Sequence, residues 1–237
     1  DKMYRRIVFH EKSSRFLIFA RNAAAILLPI LLLWHLVISP AILPEKIIYA
    51  EVSSSSSGVT KVQLPDGSQV WLNASSKLTY PQKFTKKARV VKLDGEGYFS
   101  VSADKNRRFD VIIDNQMRVS AYGTEFNITA YPQTKTFRVL LAQGNVDVEV
   151  LNTQQTAQLK PGQEAVISTS NSEIKISAAD MYTQTAWKDG KMVFYREKLE
   201  TITQKLSKRF DVQIDFAEPH LKEQIYTGTF TTEGITE

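Results

Sequence analysis

Ala23 to Leu43 is a run of 21 residues without a formal charge, AAAILLPILLLWHLVISPAIL. At about 1.5 Å of rise per residue, a helix of that length crosses the roughly 30 Å hydrocarbon layer of a bilayer. The run predicts one membrane-spanning helix over residues 23–43. Pro29 is compatible with it, because prolines are tolerated in membrane helices. Trp34, His35 and Tyr49 fall in the half leading to the far interface, where aromatic residues collect. A cleavable signal peptide has a shorter apolar region and ends at a small-x-small site; here Pro40 lies near the end of the run and Pro44 follows it instead. Uniform hydrophobicity over so long a stretch also disfavours a buried core helix.

Charge is distributed to match. Residues 1–22 hold six basic and two acidic residues, a net of +4 out of +5 for all 237 residues. By the positive-inside rule this segment stays in the cytoplasm and everything after about Pro44 lies outside it. A basic excess confined to one end lacks the distributed stripe that tracks phosphates, so no nucleic-acid partner is expected. The absence of cysteine excludes disulfide frameworks, thiol nucleophiles and cysteine-based metal sites.

Val52-Ser53-Ser54-Ser55-Ser56-Ser57-Gly58 reads as a polar, flexible tether within a linker over residues 44–58, and a folded domain is expected from about Val59. From there to about Ser177 short segments rich in Val, Ile, Leu and aromatic residues alternate with turn signals such as Pro65-Asp66-Gly67, Asp94-Gly95, Asp114-Asn115, Gly144-Asn145 and Pro161-Gly162. Val146, Val148 and Val150 alternate with Asp147 and Glu149, the period-2 signature of a strand with one buried face. Strands every 8–12 residues without helical patterns between them predict an all-β sandwich, barrel or β-solenoid-like stack over residues 59–177.

The pattern changes over residues 178–237. Lys191–Tyr195 reads as a strand; Leu199, Ile202, Leu206 and Phe210 recur at helical spacing with Glu200, Lys205 and Lys208 between them. Val212–Phe216 alternates as a second strand, and Tyr226–Phe230 resembles a third. This is a β-α-β unit followed by a strand, an α+β subdomain that stops at Glu237 where another helix would begin, and so reads as truncated. The fold class is therefore mainly β with one N-terminal membrane helix.

LPDGSQVWLNASSKLTYPQKF (64–84), VVKLDGEGYFSV, RRFDV, VSAYGTEFNITAY, LAQGNVDV and LKPGQEAVI, in that order, closely resemble the FecR family of transmembrane sigma-factor regulators, especially those of Bacteroidetes. The resemblance covers about residues 16–237. Gly97 stands where the family usually has alanine in its GEAYF motif, and Arg108 where a proline is common. The resemblance implies a periplasmic β domain and a C-terminal STN-like subdomain that together sense a TonB-dependent outer-membrane receptor. It also implies a cytoplasmic helical domain that binds an extracytoplasmic-function sigma factor, for which residues 1–22 are too short. The implied partners are thus the receptor's signalling domain, a sigma factor and the lipid bilayer of the inner membrane. Val212, Ile214, Phe216, Tyr226 and Phe230 are the candidate contact residues, on strand edges open to β-augmentation. A carbohydrate-binding or envelope-anchored β-sandwich protein is the alternative reading.

Some FecR-like regulators resemble self-cleaving proteins that split at a Gly-Thr pair, which makes Gly123 and Thr124 candidate catalytic residues. Thr124 Oγ1 would attack the Gly123 carbonyl in an N→O acyl shift, and a strained turn between strands would help. A glycine bulge followed by a strand threonine is the structural alternative. Gly228-Thr229 is a second such pair.

A conventional enzyme lacks catalysts here. His10 is assigned to the cytoplasm, His35 to the span and His220 to a loop, and no metal or cofactor site is expected, because no His or carboxylate cluster has ligand spacing. Asp94 and Glu96 would share one face of a strand, as a glycosidase pair must, but their flanking glycines read as a turn with solvated acids. Lys83, Lys86, Lys87, Arg89 and Lys92 read as a solvated hairpin face.

Overall fold

The computed structural model describes residues 2–38, 47–210 and 212–231, and the chain forms two units, Asp1–Lys46 and Ile47–Glu237. In the first, α1 (Lys2–Leu33) is continued by a π-helical turn, Trp34–Ile38. Its stretch long and apolar enough to cross a membrane is Phe16–Leu36, 21 residues, none of it buried within the protein. It overlaps the expected span over residues 23–36. The end of the expected span, residues 39–43, lies outside the described residues.

The second unit opens within the stretch expected to be a linker. Tyr49–Ser53 is a strand, β1, paired antiparallel with β4 (Lys77–Pro81). Ser54 continues the contact: its N–H donates to Ser76 O at 2.9 Å, and its hydroxyl accepts from Ser76 N at 2.9 Å. The serine tract that reads as a tether therefore has partners on the loop at residues 73–76, just before β4. The Ser54 hydroxyl bonds main-chain groups there, a role that polar composition does not distinguish from solvation.

Thirteen strands make two sheets that share one long strand, β5 (Ala88–Ser100). The first sheet runs β1-β4-β5-β6-β7-β10-β11, with β6 at Arg108–Ile113, β7 at Met117–Ala121, β10 at Val146–Val150 and β11 at Gln155–Leu159. The second runs β2-β3-β5-β8-β9-β12-β13, with β2 at Thr60–Gln63, β3 at Gln69–Leu72, β8 at Glu125–Ala130, β9 at Thr136–Gln143, β12 at Gln163–Ser168 and β13 at Ile174–Ala178. Every pairing is antiparallel except β5 with β6. Of the three architectures the sequence leaves open, this is the sandwich. The two sheets close on one core, where Phe109 of the first sheet meets Phe99 of the second edge-on at 6.3 Å and Phe99 stacks on Phe126 at 5.1 Å.

The turn signals fall between strands for stated reasons. Asp114 and Asn115 both take positive φ, 46° and 51°, and Gln116 N–H closes onto Ile113 O at 2.9 Å, a type I′ hairpin matched to the strand twist. Asp94-Gly95 is the exception, since it is no turn. Through Asp94 the strand β5 pairs with β4, and from Gly95 it pairs with β8, so Gly95, at φ +101°, is where β5 leaves one sheet for the other.

After β13, α2 (Met181–Thr185) and a 3₁₀ turn, Ala186–Asp189, lead to β14 (Met192–Lys198), α3 (Leu199–Phe210), a second 3₁₀ turn, Pro219–Glu223, and β15 (Ile225–Phe230). α3 is amphipathic as its spacing predicts, with Ile202 buried and Lys205 exposed. β14 and β15 form a two-stranded antiparallel ribbon with a bulge between Phe194 and Glu197.

Candidate functional site

Gly123 and Thr124 sit between β7 and β8. Gly123 has φ +141°, and a Cβ there would lie 2.8 Å from Ala103 Cα, so packing alone requires glycine. The main chain is pinned on both sides of the pair: Tyr122 O accepts from Asp104 N at 3.0 Å and Thr124 O accepts from Val101 N at 2.9 Å. Thr124 is buried, and its Oγ1 has no hydrogen-bond partner. Packing accounts for the glycine but not for the orphaned hydroxyl, since a buried polar group is ordinarily paired. Gly228-Thr229 lies on β15, where the threonine is exposed and a Cβ on the glycine would meet nothing within 4 Å.

Asp94 and Glu96 do not form a pair. They pair into different sheets, Asp94 opposite Lys77 on β4 and Glu96 opposite Thr129 on β8, and they line different clefts. Asp94 is exposed. Glu96 accepts from Asn73 Nδ2 at 2.7 Å, Asn127 Nδ2 at 3.1 Å and Thr129 Oγ1 at 3.0 Å. Nearby, burial and then the charge of Glu96 push the Tyr131 phenol well above its usual range. Tyr131 therefore stays protonated and donates to Ala74 O at 3.0 Å.

The basic cluster divides. Lys83, Lys86, Lys87 and Lys92 are exposed, but Arg89 is wholly buried. Its Nη1 donates to Asp66 Oδ2 and to Ser102 O, each at 2.8 Å, and Nη2 donates to Arg107 O at 2.8 Å. Sequence reasoning missed this because Val90 is the apolar neighbour, and it is Val90 that faces outward. The Asp66 turn and Arg89 are 23 positions apart, with no spacing signal to join them. Arg108, where the resemblance expects proline, pairs with Asp110 at 2.7 Å. At Gly97 a Cβ would lie 3.0 Å from Phe99 Cε2, a contact that the usual alanine would have to relax.

In the α+β subdomain that follows β13, Val212–Phe216 is not a strand. Val212, Ile214 and Phe216 are half-buried and Gln213 and Asp215 exposed, so the alternation is real, but no ladder is formed among the described residues. A strand is defined by its partner, and alternation supplies only a face. Ile214 and Phe216 instead line a groove with Glu200, Thr203 and Ser207 of α3. The ribbon partner of β14 is β15, which leaves Tyr195, Ile225, Tyr226 and Phe230 exposed. Two of the five candidate contact residues thus stand on a paired strand and three on an unpaired segment.

His220 is exposed beside Glu218, with Nδ1 to Oε2 at 3.1 Å. Among the described residues no group of three or more His, Cys, Asp or Glu side chains is placed to hold a metal ion.

Comparison with known proteins gives concordant results. The FecR protein model matches residues 50–147 and the FecR C-terminal model matches residues 191–237. Crystal structures of a candidate anti-sigma factor from Parabacteroides distasonis ATCC 8503, at 2.50 and 1.65 Å, are both 27% identical in sequence with a TM-score of 0.67. They cover 80% and 79% of this chain and 87% of their own. No curated protein matches the sequence. The sandwich carries the first match and the β14-α3-β15 unit the second, and together they take in more than half of the residues: the chain belongs to the FecR family.

Proposed function

We propose that the protein regulates an extracytoplasmic-function sigma factor and is held in the inner membrane by the helix within Phe16–Leu36, its N-terminus in the cytoplasm and residues 47–237 in the periplasm. There it binds the signalling domain of a TonB-dependent outer-membrane receptor. Family membership and the likeness to an anti-sigma factor support sigma-factor regulation. Lys2, Arg5, Arg6, Lys12 and Arg15 precede the span, which supports the orientation. The observation that carries the binding reading is Val212–Phe216, an alternating segment without a ladder beside a ribbon with exposed aromatic side chains. Such a segment accepts a partner strand through main-chain hydrogen bonds, and a partner that favours one of two states shifts their populations by its differential affinity.

The test is capture of a receptor signalling domain by the full chain in nanodiscs, repeated with Gln213→Pro. Proline removes a main-chain donor from the unpaired segment, so capture drops while the melting temperature holds. Equal capture by both forms overturns β-augmentation at this segment, and no capture of the signalling domain encoded beside this gene overturns the relay.

The orphaned Thr124 hydroxyl favours a second reading, self-cleavage. Oγ1 bonds to the Gly123 carbonyl carbon, the Gly123–Thr124 C–N bond breaks, and the hydroxyl proton passes to the departing nitrogen. Water then hydrolyses the ester to a Gly123 carboxylate and a free Thr124 amine and hydroxyl.

A further inference from the structure

Within the second unit, a cleft of about 640 Å³ lies between the sandwich and the α+β subdomain that follows β13. Asn73, Glu96, Tyr131 and Arg138 line it from the sandwich, and Trp187 and Glu197 from the other side. Two of its polar atoms are buried and unpaired. Trp187 Nε1 donates to nothing, and Glu197 Oε2 accepts nothing while Oε1 of the same carboxylate takes Lys205 Nζ at 2.5 Å. Buried polar atoms normally have partners, and here one missing donor and one missing acceptor border the same space. We propose that the cleft binds an uncharged polyhydroxylated molecule of monosaccharide or disaccharide size.

Each feature of the lining selects that class. The volume lies in the range of small-molecule sites, which collect at domain junctions. A hydroxyl both donates and accepts, so the hydroxyls of one ligand serve both Glu197 Oε2 and Trp187 Nε1. The charged residues of the lining balance, with Glu96, Asp180 and Glu197 against Arg138, Lys191 and Lys205, which gives neither an anion nor a cation an advantage. Tyr131, Trp187 and Phe194 add aromatic surface on which the C–H faces of a sugar ring pack, the mixed apolar and polar lining typical of ligand pockets. A ligand held from both sides also ties the α+β subdomain to the sandwich.

The experiment is calorimetric titration of the full chain in nanodiscs with glucose, galactose, mannose, N-acetylglucosamine, maltose and cellobiose. Glucuronate and tetra-alanine serve as charged and peptide probes. At least one neutral sugar saturates with a Kd below about 10 mM, and Trp187→Phe and Glu197→Gln each weaken it about tenfold or more. Trp187→Phe deletes an unpaired donor and keeps a ring, so the ligand-free melting temperature holds or rises. Binding lost together with a lowered melting temperature in both variants overturns the assignment to these two atoms. So does affinity unchanged in both. No saturation by any neutral sugar, or tighter binding of glucuronate or tetra-alanine, overturns the ligand class.

Discussion

Arg89 Nη1 donates to Asp66 Oδ2 at 2.8 Å with the two side chains 0% and 4% exposed. The pair joins the turn between β2 and β3 to the start of β5. Asp66 also accepts from Ser68 N at 3.0 Å and Ser68 Oγ at 2.8 Å, so both carboxylate oxygens are engaged. The guanidinium lies over the Phe109 ring at 5.5 Å, which places a charge against the core. Breaking one side of such a pair strands the other charge without water. Asp66→Ala and Arg89→Ala should each lower unfolding free energy by about 3–5 kcal/mol, whereas the double substitution should cost much less than their sum. Denaturant titration of the four forms measures this; additive losses would show the pair to be incidental.

Gly95 is the second point on which the sandwich turns. A Cβ at this position would lie 2.4 Å from Ser76 Oγ and 2.8 Å from Ser76 Cα, and φ is +101°. Gly95→Ala should destabilise by about 1–3 kcal/mol or more, from overpacking and backbone strain combined. Adding Ser76→Gly relieves part of the clash and none of the dihedral cost, so the double variant should recover only partly. Full recovery in thermal melts would assign the whole effect to the side-chain contact.

Thr124 separates folding from cleavage. Thr124→Val fills the same space without the unpaired hydroxyl, and should be neutral or stabilising by about 1–2 kcal/mol. Wild type should yield a fragment ending at Gly123 that Thr124→Val does not, seen by intact-mass spectrometry. A wild-type chain still whole after prolonged incubation ends the cleavage reading while leaving the stability prediction standing.

Asp180 caps α2, accepting from Thr183 Oγ1 at 2.6 Å and Thr183 N at 3.2 Å. The Thr183 side-chain bond, followed by its backbone N–H, holds the carboxyl below the ordinary value. With the folded pKa the lower one, the stabilisation is complete above the usual carboxylate pKa and fades as pH falls through the depressed one. Asp180→Ala should cost about 1 kcal/mol at neutral pH and progressively less in acid, and Asp180→Asn should keep the cap and lose that pH dependence. Hydrogen exchange at the Thr183 amide reads the cap directly.

Sequence and structure agree unevenly along the chain. The apolar N-terminal helix, the strand-rich body, the Asp114-Asn115 hairpin and amphipathic α3 were all legible, because each depends on local periodicity or on a backbone angle that few residues adopt. The serine tract, Arg89 and Val212–Phe216 were misread. In each the local pattern was right about polarity or alternation, while the outcome depended on a partner elsewhere: Ser76 for Ser54, Asp66 for Arg89, and a ladder that Val212–Phe216 does not find.

Sequence alone thus determined that the protein has an apolar helix long enough for a bilayer and a body of short strands, since both follow from which side chains avoid water and at what interval. Tertiary structure decided that the strands form two sheets on one shared strand, that an arginine belongs inside, and that Trp187 and Glu197 border one cleft with Glu96. Those relations join residues far apart in the chain. They are set by which charges and hydrogen-bonding groups must meet once water is excluded, which no local pattern encodes.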